Sequence, residues 1–143
     1  MATQFLDVIR ARVNSLCASA PFDFTLAATP FDFKNQPTGQ IDQVFRIEIE
    51  PGKVIGGFNY SETRQDALRI WVARKYAADP EGTYQQLVTD ATSLTAAVVR
   101  DGATGGGDYD VPDQGRGCSF LHDKGAEYAL LRLSLVVDYE TSL

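Results

Sequence analysis

The segment Ile47–Val72, IEIEPGKVIGGFNYSETRQDALRIWV, holds the ends of two strand-like runs and a long interval between them. Gln43–Glu50 alternates apolar and polar residues regularly. Ala67–Ala77 alternates less cleanly, so a helix stays an alternative for this second run. A β-hairpin turns within about two to five residues, and Pro51–Gln65 is much longer than that. We therefore predict two strands joined by a long loop that projects from the sheet.

Further elements are predicted on either side of this segment. An amphipathic helix is expected over residues 2–19, followed by a proline-punctuated connection over residues 21–40. A second helix is expected over Asp79–Arg100, because an aspartate, a proline and a glutamate form a typical helix start there. Tyr128–Glu140 alternates throughout and predicts a long final strand, with a short strand before it near Asp108–Val111.

The order of these elements predicts an α+β fold in a single domain over residues 1–143. We expect a mainly antiparallel four-stranded sheet with two main helices packed on one face, in the order α-β-β-α-β-β. A chain of 143 residues is long enough to bury a core without disulfides. Cys17 and Cys118 are therefore expected to be reduced thiols.

The charge of the chain is acidic and unevenly distributed. The formal net charge is −6. Residues 1–78 hold 9 Lys and Arg against 8 Asp and Glu, whereas residues 79–143 hold 4 against 11. Such a surface repels phosphate backbones and argues against specific DNA binding. The charged residues of the first helix, among them Asp7 and Arg10, argue against a signal peptide or a membrane span there.

The residues that could carry chemistry do not form a recognisable catalytic or metal-binding motif. His122 is the only histidine and is expected on a surface loop, and a Cys118–His122 nucleophile would need a positive environment that the acidic neighbours do not provide. The carboxylates of Asp108–Asp113 lack the ligand spacing of an EF-hand. Gly105–Gly107 lacks the Lys-Ser/Thr pair of a phosphate loop. The sequence therefore predicts no catalytic residue, no cofactor and no metal.

The chain resembles the tail terminator and neck proteins of long-tailed bacteriophages. The likeness consists of an N-terminal amphipathic helix, the strand FRIEIE, a long charged interval, a second strand, the helix Asp79–Arg100 and the closing LRLSLVVDYE. It spans nearly the whole chain as an order of elements. It implies a non-enzymatic α+β subunit that forms a homo-oligomeric ring, typically a hexamer, which is assembled in the host cytoplasm and lies in the virion at the top of the tail.

The resemblance also implies partners and roles for particular residues. The ring would cap the tail tube and meet the head-side connector or stopper protein, and DNA would pass through its lumen without specific binding. The projecting loop would contact the tube or another partner through apolar and charged side chains, namely Lys53, Ile55, Phe58, Tyr60, Glu62 and Arg64. The last strand and the Trp71-bearing strand would pack against neighbouring subunits, with Trp71, Leu130, Arg132 and Val136 as candidates.

Two alternatives to a tail terminator stay open. One is a related head-tail stopper or a tail-completion or adaptor protein, which would have a similar fold and different contacts. The other is a small ligand-binding α+β domain, which would require converging polar groups that the sequence does not reveal.

Overall fold

The computed structural model describes residues 2–27, 43–58, 60–75, 80–104, 109–122 and 128–142. These residues form two helices and five strands in the order α-β-β-β-α-β-β. The elements are α1 (Ala2–Ala18), β1 (Thr25–Leu26), β2 (Val44–Phe58), β3 (Ser61–Lys75), α2 (Pro80–Thr104), β4 (Gly117–His122) and β5 (Tyr128–Ser142).

The strands form one mixed sheet in the spatial order β1-β2-β3-β5-β4. β1 runs parallel to β2, and the other neighbouring strands are antiparallel. The fold is therefore α+β with two helices, but the expected four-stranded antiparallel sheet in the order α-β-β-α-β-β is wrong. The additional strand is β1, which lies inside the proline-punctuated connection. It comprises two residues, too few for an alternating pattern to reveal.

The long loop expected between the first two strands is also wrong, because the strands continue through it. β2 and β3 comprise 15 residues each and form one extended hairpin, with Tyr60 in the turn before Ser61. The register shifts twice, between Glu50 and Lys53 and between Val54 and Gly56. Each β-bulge moves the following side chains to the other face of the sheet, so the period-two pattern in the sequence is interrupted although the pairing continues.

Gly52 and Pro51 fit the first bulge for steric reasons. A Cβ atom at Gly52 would lie 1.9 Å from the carbonyl oxygen of Gln65, so no other residue can be accommodated without moving the backbone. Pro51 has no partner in the register with β3, and no described strand pairs with β2 on its other side there, so its missing N–H group breaks no hydrogen bond to a described strand. Both residues are typical of loops, and here they belong to an edge strand.

The short strand expected near Asp108–Val111 is not a strand in the described part of this range. Asp110 forms an isolated bridge with Asp138. The strand that precedes β5 is β4, which begins at Gly117, six residues beyond the end of the expected strand. His122 accordingly ends a strand and pairs with Ala129, instead of lying on a surface loop.

Both helices pack on one face of the sheet, which is called the inner face below. Residues at three- and four-residue spacing bury the apolar sides of the helices, as the sequence predicted. The shared core comprises Ile9, Val13 and Cys17 of α1, Leu87, Leu94 and Val98 of α2, and Phe45, Leu68, Ile70, Val72, Leu131 and Leu135 of the sheet. α1 ends one residue earlier than expected, α2 extends four residues beyond Arg100, and the expected helix start at Asp79 lies outside the described residues.

A buried ion pair joins α2 to the inner face. The guanidinium of Arg74 on β3 donates two hydrogen bonds to Asp90 on α2, at 2.6 and 3.0 Å. The side chains are only 14% and 5% exposed. The Phe24 ring lies 5.4 Å from the same guanidinium. Arg74 interrupts the apolar pattern of β3 because it points inward to this carboxylate.

We expect the substitution Asp90→Leu to lower the free energy of unfolding by about 3–5 kcal/mol, because it leaves the Arg74 charge buried without its counter-ion. Urea denaturation monitored by circular dichroism measures the change. The double variant Arg74→Met with Asp90→Leu removes both charges and should recover most of the lost stability. A double variant less stable than Asp90→Leu would contradict this account.

Candidate assembly interface

The end of the β2–β3 hairpin, residues 51–65, is named the distal hairpin. Residues 51–57 of β2 are exposed on both faces of the sheet. Asp66 is buried, and Ser61 lies five positions before it along β3, next to the turn. Five positions of extended strand span about 17 Å. The hairpin therefore extends beyond the part of the sheet that the core covers.

Apolar side chains are exposed at the end of this hairpin. Val54 and Ile55 are 49% and 44% exposed, and Tyr60 at the turn is 84% exposed. These three residues are named the apolar tip. Phe58 pairs with Ser61 in the strand register, and its side chain lies outside the described part of the structure. They are the large apolar side chains that the described part of the distal hairpin exposes, and exposed apolar groups are a feature of interaction surfaces.

The three charged residues assigned to this region do not share one face. Val54 pairs with Arg64 and Gly57 pairs with Glu62, so both charges lie on the same side of the ribbon, and Arg64 Nη1 lies 3.6 Å from a Glu62 oxygen. Lys53 pairs with Gln65 and lies on the opposite side, where it is exposed. Of the three, Lys53 is thus the residue whose charge is most available to a partner.

A buried carboxylate fixes the base of the distal hairpin. Asp66 is 1% exposed and accepts hydrogen bonds from the Gly52 N–H at 2.7 Å and from the Tyr139 hydroxyl at 2.5 Å. These bonds tie the bulge of β2 to β3 and β5. Burial and the hydrogen bond to Asp66 raise the pKa of Tyr139 to about 12. The sequence showed Asp66 as one polar residue in a charged interval, and its role depends on the bulge.

The four residues expected at subunit contacts all lie on the face of the sheet opposite the helices, named the outer face. Trp71 and Arg132 are directly paired across β3 and β5, and the Arg132 guanidinium lies 5.9 Å from the Trp71 ring. Arg132 also donates to Ser119 Oγ at 3.1 Å. The structure thus brings these side chains together on two neighbouring strands.

Two of these outer-face residues already contribute to packing within the chain. Leu130 is 3% exposed and forms a small buried cluster with Ala73 and Tyr128. Val136 lies against Gly115, where a Cβ atom would come within 2.6 Å of a Val136 methyl group. Gly115 has φ = +81°, a conformation that favours glycine. Their apolar area is therefore less available to a second subunit than the sequence pattern suggested.

A groove between α2 and the edge strand β4 is a feature that the sequence did not reveal. It is open and has a volume of about 330 Å³. Its lining consists mainly of apolar groups and of polar groups that form hydrogen bonds within the chain. Its lining includes Ala91, Thr92, Thr95, Arg116, Cys118 and Leu133. We name it the edge groove. It could not be predicted because β4 was not among the expected strands.

The polar groups that line the edge groove are engaged within the chain. The hydroxyls of Thr92 and Thr95 donate to the carbonyl oxygens of Val88 and Ala91, at 3.2 and 2.7 Å. Arg116 donates to two backbone carbonyls at 2.6 and 3.0 Å and pairs with Asp113. The groove therefore offers an apolar surface rather than free hydrogen-bonding groups.

Apolar side chains extend the edge groove along α2. Tyr84 and Val88, one turn apart on the helix, are 49% and 44% exposed. The Tyr84 ring contacts the Phe120 ring of β4, with 4.7 Å between the ring centroids. The groove and these side chains form one apolar strip between the helix and the edge of the sheet.

A second, open cleft of about 630 Å³ lies between α1 and α2, and an ionic network occupies part of its wall. Arg12 pairs with Asp101 at 3.0 Å, and the Tyr109 hydroxyl donates to the same carboxylate at 2.7 Å. Burial and this hydrogen bond raise the pKa of Tyr109. These contacts join α1, α2 and the segment after α2. Arg12, Asp101 and Tyr109 therefore have structural roles.

The described residues contain no group of three or more histidine, cysteine and acidic side chains placed to hold a metal ion. Cys17 is buried, which raises the pKa of its thiol to about 12, and Cys118 is exposed; both thiols are free. Neither α1 nor α2 is long and apolar enough to cross a membrane. Comparison with models of protein families and with curated proteins finds no match for this chain.

We expect the substitution Tyr139→Phe to change how stability depends on pH. Tyr139 keeps its proton in the folded state up to about pH 12, whereas an unfolded tyrosine ionises near pH 10. The stability contributed by the protonated group is therefore complete below pH 10 and is lost as the pH rises towards 12. Between these two pKa values, one such proton lowers the free energy of unfolding by about 1.4 kcal/mol for each pH unit of increase.

Chemical denaturation of both proteins between pH 9 and pH 11.5 measures this difference. The variant should be less stable than the wild type at pH 9, because Asp66 loses a buried hydrogen bond, and the gap should narrow as the pH rises. Tyr60→Phe is a matched control on an exposed tyrosine and should leave the pH dependence unchanged. A gap between wild type and Tyr139→Phe that stays constant with pH would contradict the assignment.

Proposed function

We propose that this chain is a structural subunit of the tail terminator or neck of a long-tailed bacteriophage. In this role, copies assemble into a ring that caps the tail tube and joins it to the head-side connector. The observation that supports the proposal most directly is the distal hairpin, which extends the sheet beyond the part that the core covers and exposes the apolar tip. Three elements of the resemblance add to it, namely the N-terminal helix, the helix after the hairpin and the long closing strand.

The rigidity of the distal hairpin favours a role in assembly. β3 is paired with β2 on one side and with β5 on the other, down to Ser61 and Ser142. Asp66 fixes the bulge at the base of the hairpin. A surface that is ordered before it meets its partner loses little conformational entropy on binding, so that more of the contact energy contributes to affinity.

The charge of the chain suits a structure that DNA traverses. The net charge of −6 disfavours attachment to a phosphate backbone. Most of the excess acid lies in residues 79–143, which include α2, β4 and β5. A wall with this charge would let DNA pass without specific binding, as the role requires.

The mass of the purified full-length protein in solution tests the proposal. We expect sedimentation velocity to show either a ring with a mass of several subunits or a single subunit that forms rings on added tail tubes. Electron microscopy of the mixture should then show one ring at one end of each tube. A protein that remains a single subunit and leaves the tubes uncapped would refute the proposal.

A further inference from the structure

We infer that the outer face binds an acidic segment of a partner protein, and that Arg46 and Arg132, on either side of Trp71, hold its carboxylates. We name these three residues the outer-face row. The inference goes beyond the proposed function, because it gives the chemistry of a partner and does not require a ring. It also changes the role expected for Trp71 and Arg132, which the sequence analysis assigned to packing against neighbouring subunits.

The outer-face row crosses three neighbouring strands. Arg46 on β2 is the register partner of Trp71 on β3, and Trp71 is the register partner of Arg132 on β5. Side chains at directly paired positions of antiparallel strands lie next to each other on one face of the sheet. The Arg132 guanidinium lies 5.9 Å from the centre of the Trp71 ring. The indole ring is therefore placed between two cationic side chains.

Both arginines of the row lack a counter-ion within the described residues. Their hydrogen bonds go to neutral oxygens, from Arg46 to the Ala27 carbonyl at 3.5 Å and from Arg132 to the Ser119 hydroxyl at 3.1 Å. Glu48, the nearest acid along β2, forms an ion pair with neither of them in the same part of the chain. Every other half-buried arginine of the described residues pairs with a carboxylate, and these are Arg12, Arg64, Arg69, Arg74 and Arg116.

The row also holds N–H groups that have no acceptor among the described residues. These are Arg46 Nε, Trp71 Nε1 and Arg132 Nε, and all three atoms are buried. A partly buried cation is unfavourable unless an anion and hydrogen bonds compensate for its lost hydration. Carboxylate suits this requirement, because its two oxygens accept parallel hydrogen bonds from one guanidinium. The row is therefore complementary to acidic side chains.

The spacing of the row fits an extended acidic segment. Arg46 and Arg132 lie two strands apart, which separates their Cα atoms by about 10 Å. Alternate side chains of an extended chain point to the same side and lie about 7 Å apart. Two arginine side chains that lean towards the ring between them can meet two carboxylates at that distance. The stems of the acidic side chains would then contact the Trp71 ring.

The charge of the whole chain favours a short acidic segment over a nucleic acid. The net charge of −6 repels a long polyanion. Binding to nucleic acid depends on neutralising several phosphates at once, and the row offers two cations. A segment with few carboxylates interacts mainly with the nearest arginines, because charges more than about 8–10 Å away are screened at moderate salt.

Tryptophan fluorescence of the full-length protein measures binding at this site, because Trp71 is the only tryptophan of the chain. The probe is a synthetic peptide that carries glutamate at alternate positions. The same peptide with glutamine in place of each glutamate is its control. A single-stranded thymidine oligonucleotide tests recognition of phosphate groups under the same conditions.

Two variants and a matched control locate the binding. Arg46→Met and Arg132→Met each remove one charge and keep an unbranched stem against Trp71. Arg10→Met changes the net charge by the same amount, and Arg10 is an exposed residue of α1, away from the outer face. Circular dichroism establishes that all three variants are folded.

We expect the glutamate peptide to change the fluorescence of the wild type and the glutamine peptide to leave it unchanged. Each row variant should bind the glutamate peptide about tenfold more weakly or worse, which is the effect of losing one hydrogen bond to a charged group. Arg10→Met should bind it like the wild type.

Four results would overturn the inference. The first is a wild-type fluorescence that the glutamate peptide does not change, and the second is an equal loss of binding in Arg10→Met. The third is a stronger response to the oligonucleotide, which would assign the row to phosphate groups. The fourth is a fluorescence that changes with protein concentration alone, which would assign the row to a second copy of the chain. A wild type that forms no ring with or without tubes would refute the proposed function and leave this inference standing.

Discussion

The structure depends on the pairing of β3 along its whole length with two neighbours at once. Ser61–Lys75 is in register with β5 from end to end and with β2 over nearly the same range. At one end of this three-stranded unit, alternate side chains on the inner face pack against both helices. At the other end the same strands continue without that cover. A continuous backbone ladder therefore connects a buried core to an exposed hairpin, and the position of the hairpin is set by the core.

Buried charges complete this arrangement at two places along β3. Arg74 meets Asp90 where the sheet faces α2, and Asp66 accepts hydrogen bonds where the core ends. Each charged group is paired or hydrogen-bonded, which is the condition under which burial of charge is tolerated. The first pair fixes the helix against the sheet, and the second fixes the bulge from which the distal hairpin extends. The inner face of β3 thus carries apolar residues between two polar contacts.

The sequence predicted the elements whose patterns are long and uninterrupted. α2 and β5 show regular periodicity, and the structure has both close to the expected bounds. The two strands of the hairpin were predicted, but their continuation through residues 51–65 was missed, because two bulges displace the alternation and because Pro51 and Gly52 are of residue types typical of loops. β4 was missed because its six residues follow a glycine-rich stretch and show no clear alternation. These failures have one cause: strand pairing is a non-local interaction, and a partner strand can maintain a pattern that the local sequence does not show.

The residues of the candidate surfaces also divide into those that a sequence pattern can identify and those that it cannot. The sequence analysis named Ile55 and Tyr60 of the apolar tip but not Val54, and it named four residues that share the outer face because alternation places them there. It could not identify the edge groove, since that surface exists only where α2 and β4 meet. Nor could it show that Leu130 is covered while Tyr60 is exposed, because both are apolar residues on strands or turns. The apolar tip lies at one end of the β2–β3 hairpin, and the edge groove lies beside β4 at the opposite edge of the sheet. Both surfaces belong to one sheet, so the strand register sets the distance and the orientation between them.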